Sequence, residues 1–425
     1  MNAREITPTG PVHARISVPG SKSITNRALI CAALARGESV LRNASDSDDT
    51  ALMANGLNQL GVLARKRGDE LLVEGTGGRL YAPRFPIPVG NAGTTFRFLL
   101  SLAALARGKT VFEGSERMAD RPIEDLLLAL RQAGVEVEKD PVGPRWSVLG
   151  ETMKGETVNI RSDKSSQFLT SLLLVAPALN RPLRINVEGS MSSASYVSMT
   201  LDVMRHFGIR GIEKQANGYV VPAGITYSPA TFDVEADASS ASYPLAAAAI
   251  TGGKVFVEGV RSDSTQGDAR FVQILEAMGC RAAWSENGLV LERSGALQGI
   301  DVDMNTMPDV VPTLCAVALF ARGPTTIRNV AHLRYKESDR LQALATELAK
   351  LGATIALRPD GLDIVPSPLY GAQLGTYGDH RLVMSFALVG LSVQGIRIED
   401  PECVKKSYPR FWSEFEKFHY PTNIS

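Results

Sequence analysis

A chain of 425 residues is too long for one simple core, and two domains of about 200 residues each are expected. Hydrophobic residues at 44% and charged residues at 21% describe an ordinary globular protein, and Lys plus Arg equals Asp plus Glu at 45 each, so no basic excess is available for nucleic acid or an anionic membrane. The cysteines Cys31, Cys280, Cys315 and Cys403 have neither disulfide-framework nor zinc spacing, the N-terminal stretch lacks an apolar h-region, and runs such as 243–250 are too short to span a bilayer. A cytoplasmic protein with inert thiols is expected, in which a local cationic cluster must hold any anionic ligand.

Taken in chain order, an Ala/Leu-rich helical stretch recurs six times, at 26–36, 95–107, 167–179, 241–250, 311–322 and 380–391. A spacing near 70 residues is too long for a solenoid and suits a small α/β unit. Gly37, Gly108, Asn180, Gly252, Gly323 and Gly395 read as left-handed helix stops. β-Branched runs follow, as in Lys109-Thr-Val-Phe-Glu and Lys254-Val-Phe-Val-Glu. Second helices with a clear 3.6-residue period are predicted at 123–133, 196–207, 269–278 and 338–351. Most second helices stop at a glycine (Gly61, Gly134, Gly208, Gly279, Gly352), with a hairpin beyond it. The plan is β-α-β-α-β-β six times over, the sixth copy truncated, with three copies per domain. The Pro/Gly/Ser-bearing stretch 222–229 marks the likeliest boundary, with the fourth copy opening at Thr231.

Function is concentrated just before each first helix. Short strands run into loops of small and polar residues, such as Ile16-Ser-Val-Pro-Gly-Ser-Lys-Ser, Ile87-Pro-Val-Gly-Asn-Ala-Gly-Thr and Leu374-Gly-Thr-Tyr-Gly-Asp-His. Helix N-termini favour anions through free N–H groups and the dipole. Capping explains Ser, Thr, Asn and Asp there, but not Lys22, Arg27, Arg97 and Arg381, whose charge opposes the dipole. Anion binding supplies the missing reason.

The segment from Pro19 to Arg27 is not a Walker A loop, since it lacks the first glycine and the spacing. Lys22 and Arg27 stand five apart across a helix start, within reach of one ligand. Gly93 in Asn91-Ala-Gly-Thr is expected to let a ligand approach the backbone. Asp120-Arg-Pro-Ile reads as a helix start with proline first and Arg121 at its entrance. Arg334-Tyr-Lys-Glu-Ser-Asp-Arg places Lys336, Glu337 and Arg340 in a first helical turn, capped by Ser338 or Asp339. Gly378-Asp-His-Arg and Lys405-Lys406-Ser-Tyr-Pro complete the set.

Ser21-Lys22-Ser23 with Asn26-Arg27, Gly90-Asn-Ala-Gly-Thr, Arg334 through Arg340 and Gly378-Asp-His-Arg together resemble EPSP synthases along essentially the whole chain. The resemblance implies an α/β enolpyruvyl transferase fold of the inside-out α/β barrel type, in two domains of three β-α-β-α-β-β units. Domain I would hold residues 1–19 plus 235–425 and domain II residues 20–234, on the shikimate 3-phosphate side. Helix N-termini would face a cleft that closes on substrate. Shikimate 3-phosphate would meet Lys22, Ser23, Arg27, Ser165, Ser166, Gln167, Ser193, Tyr196, Asp309, His332 and Lys336. Phosphoenolpyruvate would meet Lys22, Asn91, Gly93, Arg121, Gln167, Arg340, Arg381 and Lys406. Asp309, Glu337 and Lys22 would be catalytic, Asp309 as base for the 5-hydroxyl and Glu337 as proton donor to the methylene carbon. No metal, cofactor, nucleic acid or membrane partner is implied, and a monomer is expected.

Two positions depart from the family's pattern. Phe98 stands where many members carry proline, and His332 where several carry asparagine. A sister family transferring enolpyruvyl to UDP-N-acetylglucosamine has a cysteine five residues before the arginine equivalent to Arg121, and Glu116 stands there. A non-catalytic anion-binding protein of the same repeats is disfavoured by Asp309 and Glu337 among cations. A terminal phosphate cyclase is disfavoured by the neutral charge.

Overall fold

In a computed structural model, described over residues 3–422, the chain divides into two compact units. One is Gly20–Val234, and the other joins the chain up to Pro19 with the chain from Glu235 onward. The division falls later than the 222–229 stretch, because the strand Thr231–Asp233 still pairs in parallel with Arg36–Arg42 of the first unit.

In the unit Gly20–Val234, the helices Lys22–Leu34, Gly93–Ala103 and Gln167–Val175 pack on one another. Every residue from Ile24 to Leu34 and from Phe168 to Val175 is buried. A helix that is apolar all round has no face to give to water, so it goes to the centre. The second helices carry one apolar stripe: Leu126, Leu127, Ala129 and Leu130 are the buried residues of Glu124–Gln132. Each of the three four-stranded sheets has one parallel pair and two antiparallel ones. In the third, Thr157–Arg161 runs parallel to Leu183–Glu188, and Gly218–Val221 joins antiparallel to Leu183–Glu188 and to Glu213–Gln215.

The other unit repeats the plan around the helices Ala238–Thr251, Val311–Ala318 and His380–Gly390. Two of its sheets have four strands and the last has three, in keeping with a shortened sixth copy. The repeat is visible in the cores: Ser242 Oγ lies 3.1 Å from Thr313 Oγ1, which lies 3.4 Å from Ser385 Oγ. In the first unit Ser101 Oγ donates to Ser171 Oγ at 3.0 Å. One strand per unit comes from an unexpected place in the sequence. His13–Ser17, which precedes the first inner helix, pairs in parallel with Lys254–Glu258.

The glycines after the second helices adopt the expected conformation: Gly61, Gly134, Gly208, Gly279 and Gly352 all have positive φ, immediately after the helix caps. The inner helices end differently. Gly37, Gly108, Gly252, Gly323 and Gly395 all have the expected positive φ, but only Gly252 is itself the helix cap, while Ala35, Ala104, Ala176, Leu319 and Leu391 cap the others at right-handed or extended φ. Gly37 lies inside the next strand, and Asn180 is not among the positive-φ residues. Inner helices stop where packing ends, so the stop residue carries less of the signal.

Candidate active site

In the first unit, arginines converge on helix N-termini. Ser21 caps the first inner helix by accepting from the Ile24 N–H. Lys22 Nζ meets Asp49 Oδ2 at 2.8 Å, whereas Arg27 turns to its own helix and to Ala194–His206. Arg27 donates to Ser23 O at 2.8 Å, to Thr200 Oγ1 at 2.9 Å and to Tyr196 O at 3.4 Å. Lys22 and Arg27 thus face different neighbours despite their spacing. Phe98 lies under Arg27, its ring centroid 5.4 Å from the guanidinium carbon, so the aromatic residue adds a cation–π face.

Arg97 donates to Gln167 Oε1 at 2.6 Å and to Pro122 O at 2.8 Å, and Gln167 donates to Thr94 Oγ1 at 2.9 Å. Arg121 donates to Asn91 O at 2.8 Å and to Asn91 Oδ1 at 3.1 Å. A Cβ on Gly93 would stand 2.6 Å from Arg121 Nη2 and 2.9 Å from Arg97 Nη1. A side chain larger than glycine here would run into these two guanidiniums. Arg121 ends the short helix Glu116–Asp120 and Ile123 caps the next one, so Pro122 precedes that helix instead of opening it. Ser165 Oγ accepts from the Gln167 N–H at 3.3 Å, and Ser166 is the N-cap residue. Ser193 holds a left-handed φ of 55° at the N-cap of Ala194–His206, which carries Tyr196 in its first turn.

The second unit assembles carboxylates around arginines. Asp339 caps the helix Arg340–Lys350, placing Arg340 first in it and leaving Lys336 and Glu337 ahead of the helix. Of the three residues expected in the first helical turn, only Arg340 is in the helix. Arg340 is 1% exposed and donates to Asp379 Oδ2 at 2.8 Å, Asp309 Oδ1 at 3.0 Å and Glu337 Oε2 at 2.8 Å. Arg381 donates to the other Asp309 oxygen at 2.9 Å. Asp379 caps His380–Gly390 by accepting from the Arg381 N–H at 3.0 Å. Lys336 Nζ stands 3.9 Å from Asp309 Oδ1. Lys406 is half-buried at the end of the 3-10 turn Pro401–Lys406.

Burial alone would push the Asp309 carboxyl up, but Arg381, Lys336 and Arg340 outweigh it and hold Asp309 well below the usual carboxylate range. Burial, reinforced by the Lys336 charge, lowers His332 to about 3, so its imidazole is neutral near pH 7. Burial with the Asp309 charge beside it raises Asp268 to about 7. Asp268 accepts from the Ser239 hydroxyl through Oδ2, and Oδ1 has no hydrogen-bond partner among the described residues. Among the described residues, no group of three or more His, Cys, Asp or Glu is placed to hold a metal ion. No helix among them is long and apolar enough to cross a membrane.

The second unit thus brings Asp309, Glu337, Arg340, Arg381 and Lys336 together. The first brings Asn91, Gly93, Arg121 and Gln167 together, with Arg97 among them. Sequence reading missed Asp49, Asp268 and Asp379 as members. Asp379 was visible inside Gly378-Asp-His-Arg, where it read only as a cap. Asp49 sits in the first turn of the helix Asp48–Gln59, which Ser47 caps, and its place in an acidic run gives no sign of Lys22, 27 residues away.

Solved structures with this chain trace define a class. The enolpyruvyl transferase NikO from Streptomyces tendae shares the fold, with a TM-score of 0.79 at 18% identity over 97% of this chain and 96% of that one. An EPSP synthase from Acinetobacter baumannii superposes with a TM-score of 0.81 at 25% identity, covering 98% of each chain. The fold is that of the enolpyruvyl transferases. Two curated relatives named 3-phosphoshikimate 1-carboxyvinyltransferase are closer in sequence. The protein from Syntrophobacter fumaroxidans is 45% identical over 419 residues, covering 97% of this chain and 99% of that one. The one from Vibrio campbellii is 42% identical over 424 residues, covering 98% and 99%. The family described as EPSP synthase (3-phosphoshikimate 1-carboxyvinyltransferase) matches residues 6–415, and the chain belongs to it.

Proposed function

We propose that the protein transfers the enolpyruvyl group of phosphoenolpyruvate to the 5-hydroxyl of shikimate 3-phosphate, releasing phosphate, as a cytoplasmic monomer of aromatic amino acid biosynthesis. The observation that carries this reading is one buried guanidinium, Arg340, shared by Asp309 and Glu337, with Arg381 on the far oxygen of Asp309. Addition–elimination needs one group to take the hydroxyl proton and another to deliver a proton to the methylene carbon. It also needs fixed cations for a carboxylate and two phosphates.

Asp309, held ionised, takes the 5-hydroxyl proton. Its basicity rises as incoming anions draw Arg381 and Arg340 away from it. Glu337 takes up a proton once the phosphoenolpyruvate carboxylate takes its place on Arg340, a group suited to bidentate carboxylate binding. It delivers that proton to the methylene carbon in the addition and takes one back from the resulting methyl group as phosphate leaves, the Asp309 proton going out with the phosphate. Lys22, Arg121 and Lys406 take the departing phosphate. Ser165, Ser166 and Arg27 hold the shikimate phosphate, and Gln167, Ser193 and Tyr196 address the ring. Neutral His332 contacts a hydroxyl as an asparagine would, without adding charge.

Phosphate release tests the reading directly, with each substrate omitted in turn. Release is expected only when shikimate 3-phosphate and phosphoenolpyruvate are both present. Release with UDP-N-acetylglucosamine replacing the shikimate ester would overturn it.

A further inference from the structure

From the geometry of one loop in the second unit we propose that Glu347 is a positioning residue for Arg381 and Asp379, acting through the turn that delivers them; this rests on the functional reading above. Glu347 lies seven residues along the helix from Arg340, two turns away on the same face. Its carboxylate is 98% buried, yet it bonds outward from the helix as well as to Lys350. Oε2 accepts from the Gly375 N–H at 2.7 Å, and Oε1 accepts from the Tyr377 hydroxyl at 2.7 Å.

The segment it grips is a tight turn. The Asp379 N–H donates to Thr376 O at 2.8 Å, and both residues between them have positive φ, 54° at Tyr377 and 65° at Gly378. Two successive positive φ values inside a closed four-residue turn form the type I′ pattern, which prefers Asn or Gly at the first of them. Tyrosine there is strained, and such strain persists where surrounding contacts over-determine it. The Tyr377 hydroxyl on Glu347 is such a contact, and Thr376 Oγ1 on Glu399 O is another. Burial and the Glu347 partner raise the Tyr377 hydroxyl to about 12, so it remains a donor at working pH.

The turn ends on Asp379, which holds Arg340 and caps the helix that begins with His380 and Arg381. One helix therefore grips the loop at two points, Arg340 on Asp379 and Glu347 on Gly375 and Tyr377. Two charged anchors fix where the loop lies and which way it points, beside the single hydrogen bonds of Ser338 Oγ to Asp379 Oδ2 at 3.1 Å and Thr376 Oγ1 to Glu399 O at 3.1 Å. An approaching anion that draws Arg340 off its carboxylates would then leave Glu347 as the charged anchor of the turn that aims Arg381.

Glu347→Gln and Tyr377→Phe test this in two measurements on the whole chain. The first is amide hydrogen exchange over residues 375–382 without ligand. Exchange at least about tenfold faster in Glu347→Gln, with a smaller increase in Tyr377→Phe, is expected from loss of the anchor. Exchange unchanged in both would overturn the proposal, whatever reaction the protein performs. The second is steady-state kinetics. The phosphoenolpyruvate KM is expected to rise about tenfold or more in Glu347→Gln, with shikimate 3-phosphate affinity changed less than about twofold. A lowered melting temperature with wild-type KM values for both substrates would make Glu347 purely structural and overturn the proposal. Should Glu347→Gln fold poorly, Tyr377→Phe alone carries both measurements, with about a threefold KM rise expected and a wild-type KM overturning. Wild-type protein that shows no turnover sinks the functional reading, and the exchange measurement then decides this one.

Discussion

The two units follow one plan but treat their arginines differently. In Gly20–Val234, Arg27, Arg97 and Arg121 give hydrogen bonds to carbonyl, amide and hydroxyl oxygens, from Ser23 O and Thr200 Oγ1 to Gln167 Oε1 and Asn91 O. In the other unit, Arg340 and Arg381 bond to the carboxylates of Asp309, Glu337 and Asp379. A hydrogen bond to a neutral oxygen fixes a guanidinium in place without cancelling its charge. Carboxylates cancel the charge, but they put proton acceptors and donors where chemistry needs them. The repeat explains the scaffold, and the partner chosen for each arginine separates charge holding from proton transfer.

Removing the proton-transfer groups should have the largest effect. Asp309→Asn and Glu337→Gln are expected to lower turnover by about a hundredfold or more, the usual scale for a lost general acid or base. Glu337→Gln should also suppress deuterium incorporation into the methylene carbon. Melting temperature measured alongside sharpens the comparison: a lowered melting temperature with near-normal turnover would reduce both residues to structural anchors of Arg340.

On the charge-holding side, Lys22→Ala and Arg121→Ala are each expected to lose about 1.5–3 kcal/mol of transition-state binding, roughly ten- to hundredfold in kcat/KM. Folding should persist in Arg121→Ala, which loses the hydrogen bonds to Asn91, whereas Lys22→Ala also removes the lysine from the buried Asp49 carboxylate and should lower the melting temperature. Wild-type kinetics in either variant would remove that residue from the anion site.

Two titrating groups of the second unit pull stability in opposite directions with pH. Asp268, raised to about 7, keeps its proton in the folded protein where the unfolded chain has lost it, so its contribution falls as pH rises from about 4 to 7. His332, lowered to about 3, stays neutral where the unfolded chain is protonated, so its contribution falls as pH drops from about 6.5 to 3. Denaturant melts across that range should show Asp268→Asn gaining on wild type toward neutral pH, and His332→Asn gaining toward acid. Parallel curves for wild type and both variants would contradict both assignments. The smallest expected effect is none: EDTA should leave turnover intact, because arginines and lysines supply the charge a metal would. Metal-restorable loss of activity in EDTA would break that account.

Features set by short-range rules were legible in the sequence. A left-handed residue after an exposed helix needs glycine, so Gly61, Gly134, Gly208, Gly279 and Gly352 announce themselves. Repeated small apolar runs reveal six buried helices because packing leaves them no polar face. Long-range pairings were not legible. Arg340 meets Asp379 across 39 residues and Arg381 meets Asp309 across 72, and no local period records such contacts. The capping of Arg340–Lys350 by Asp339 also leaves Lys336 and Glu337 ahead of the helix, since a residue before the cap lies outside the first turn. At Gly93 the two guanidiniums of Arg121 and Arg97 come close to the backbone, a juxtaposition across 28 and 4 residues that the local sequence does not record.

The strand His13–Ser17 carries a consequence for the order of folding. Its partner is Lys254–Glu258, with Ser17 opposite Glu258, so this pairing has a very high contact order. During synthesis at 5–20 residues per second, roughly ten to fifty seconds separate the two strands' emergence from the ribosome. Gly20–Val234 is complete well before then and contains its own core. The early strand, with Ala14 and Ile16 made for burial, must meanwhile wait without its sheet. The segment made almost first thus waits for a partner made past the middle of the chain, and the sheet that contains it closes only after Lys254–Glu258 has been made.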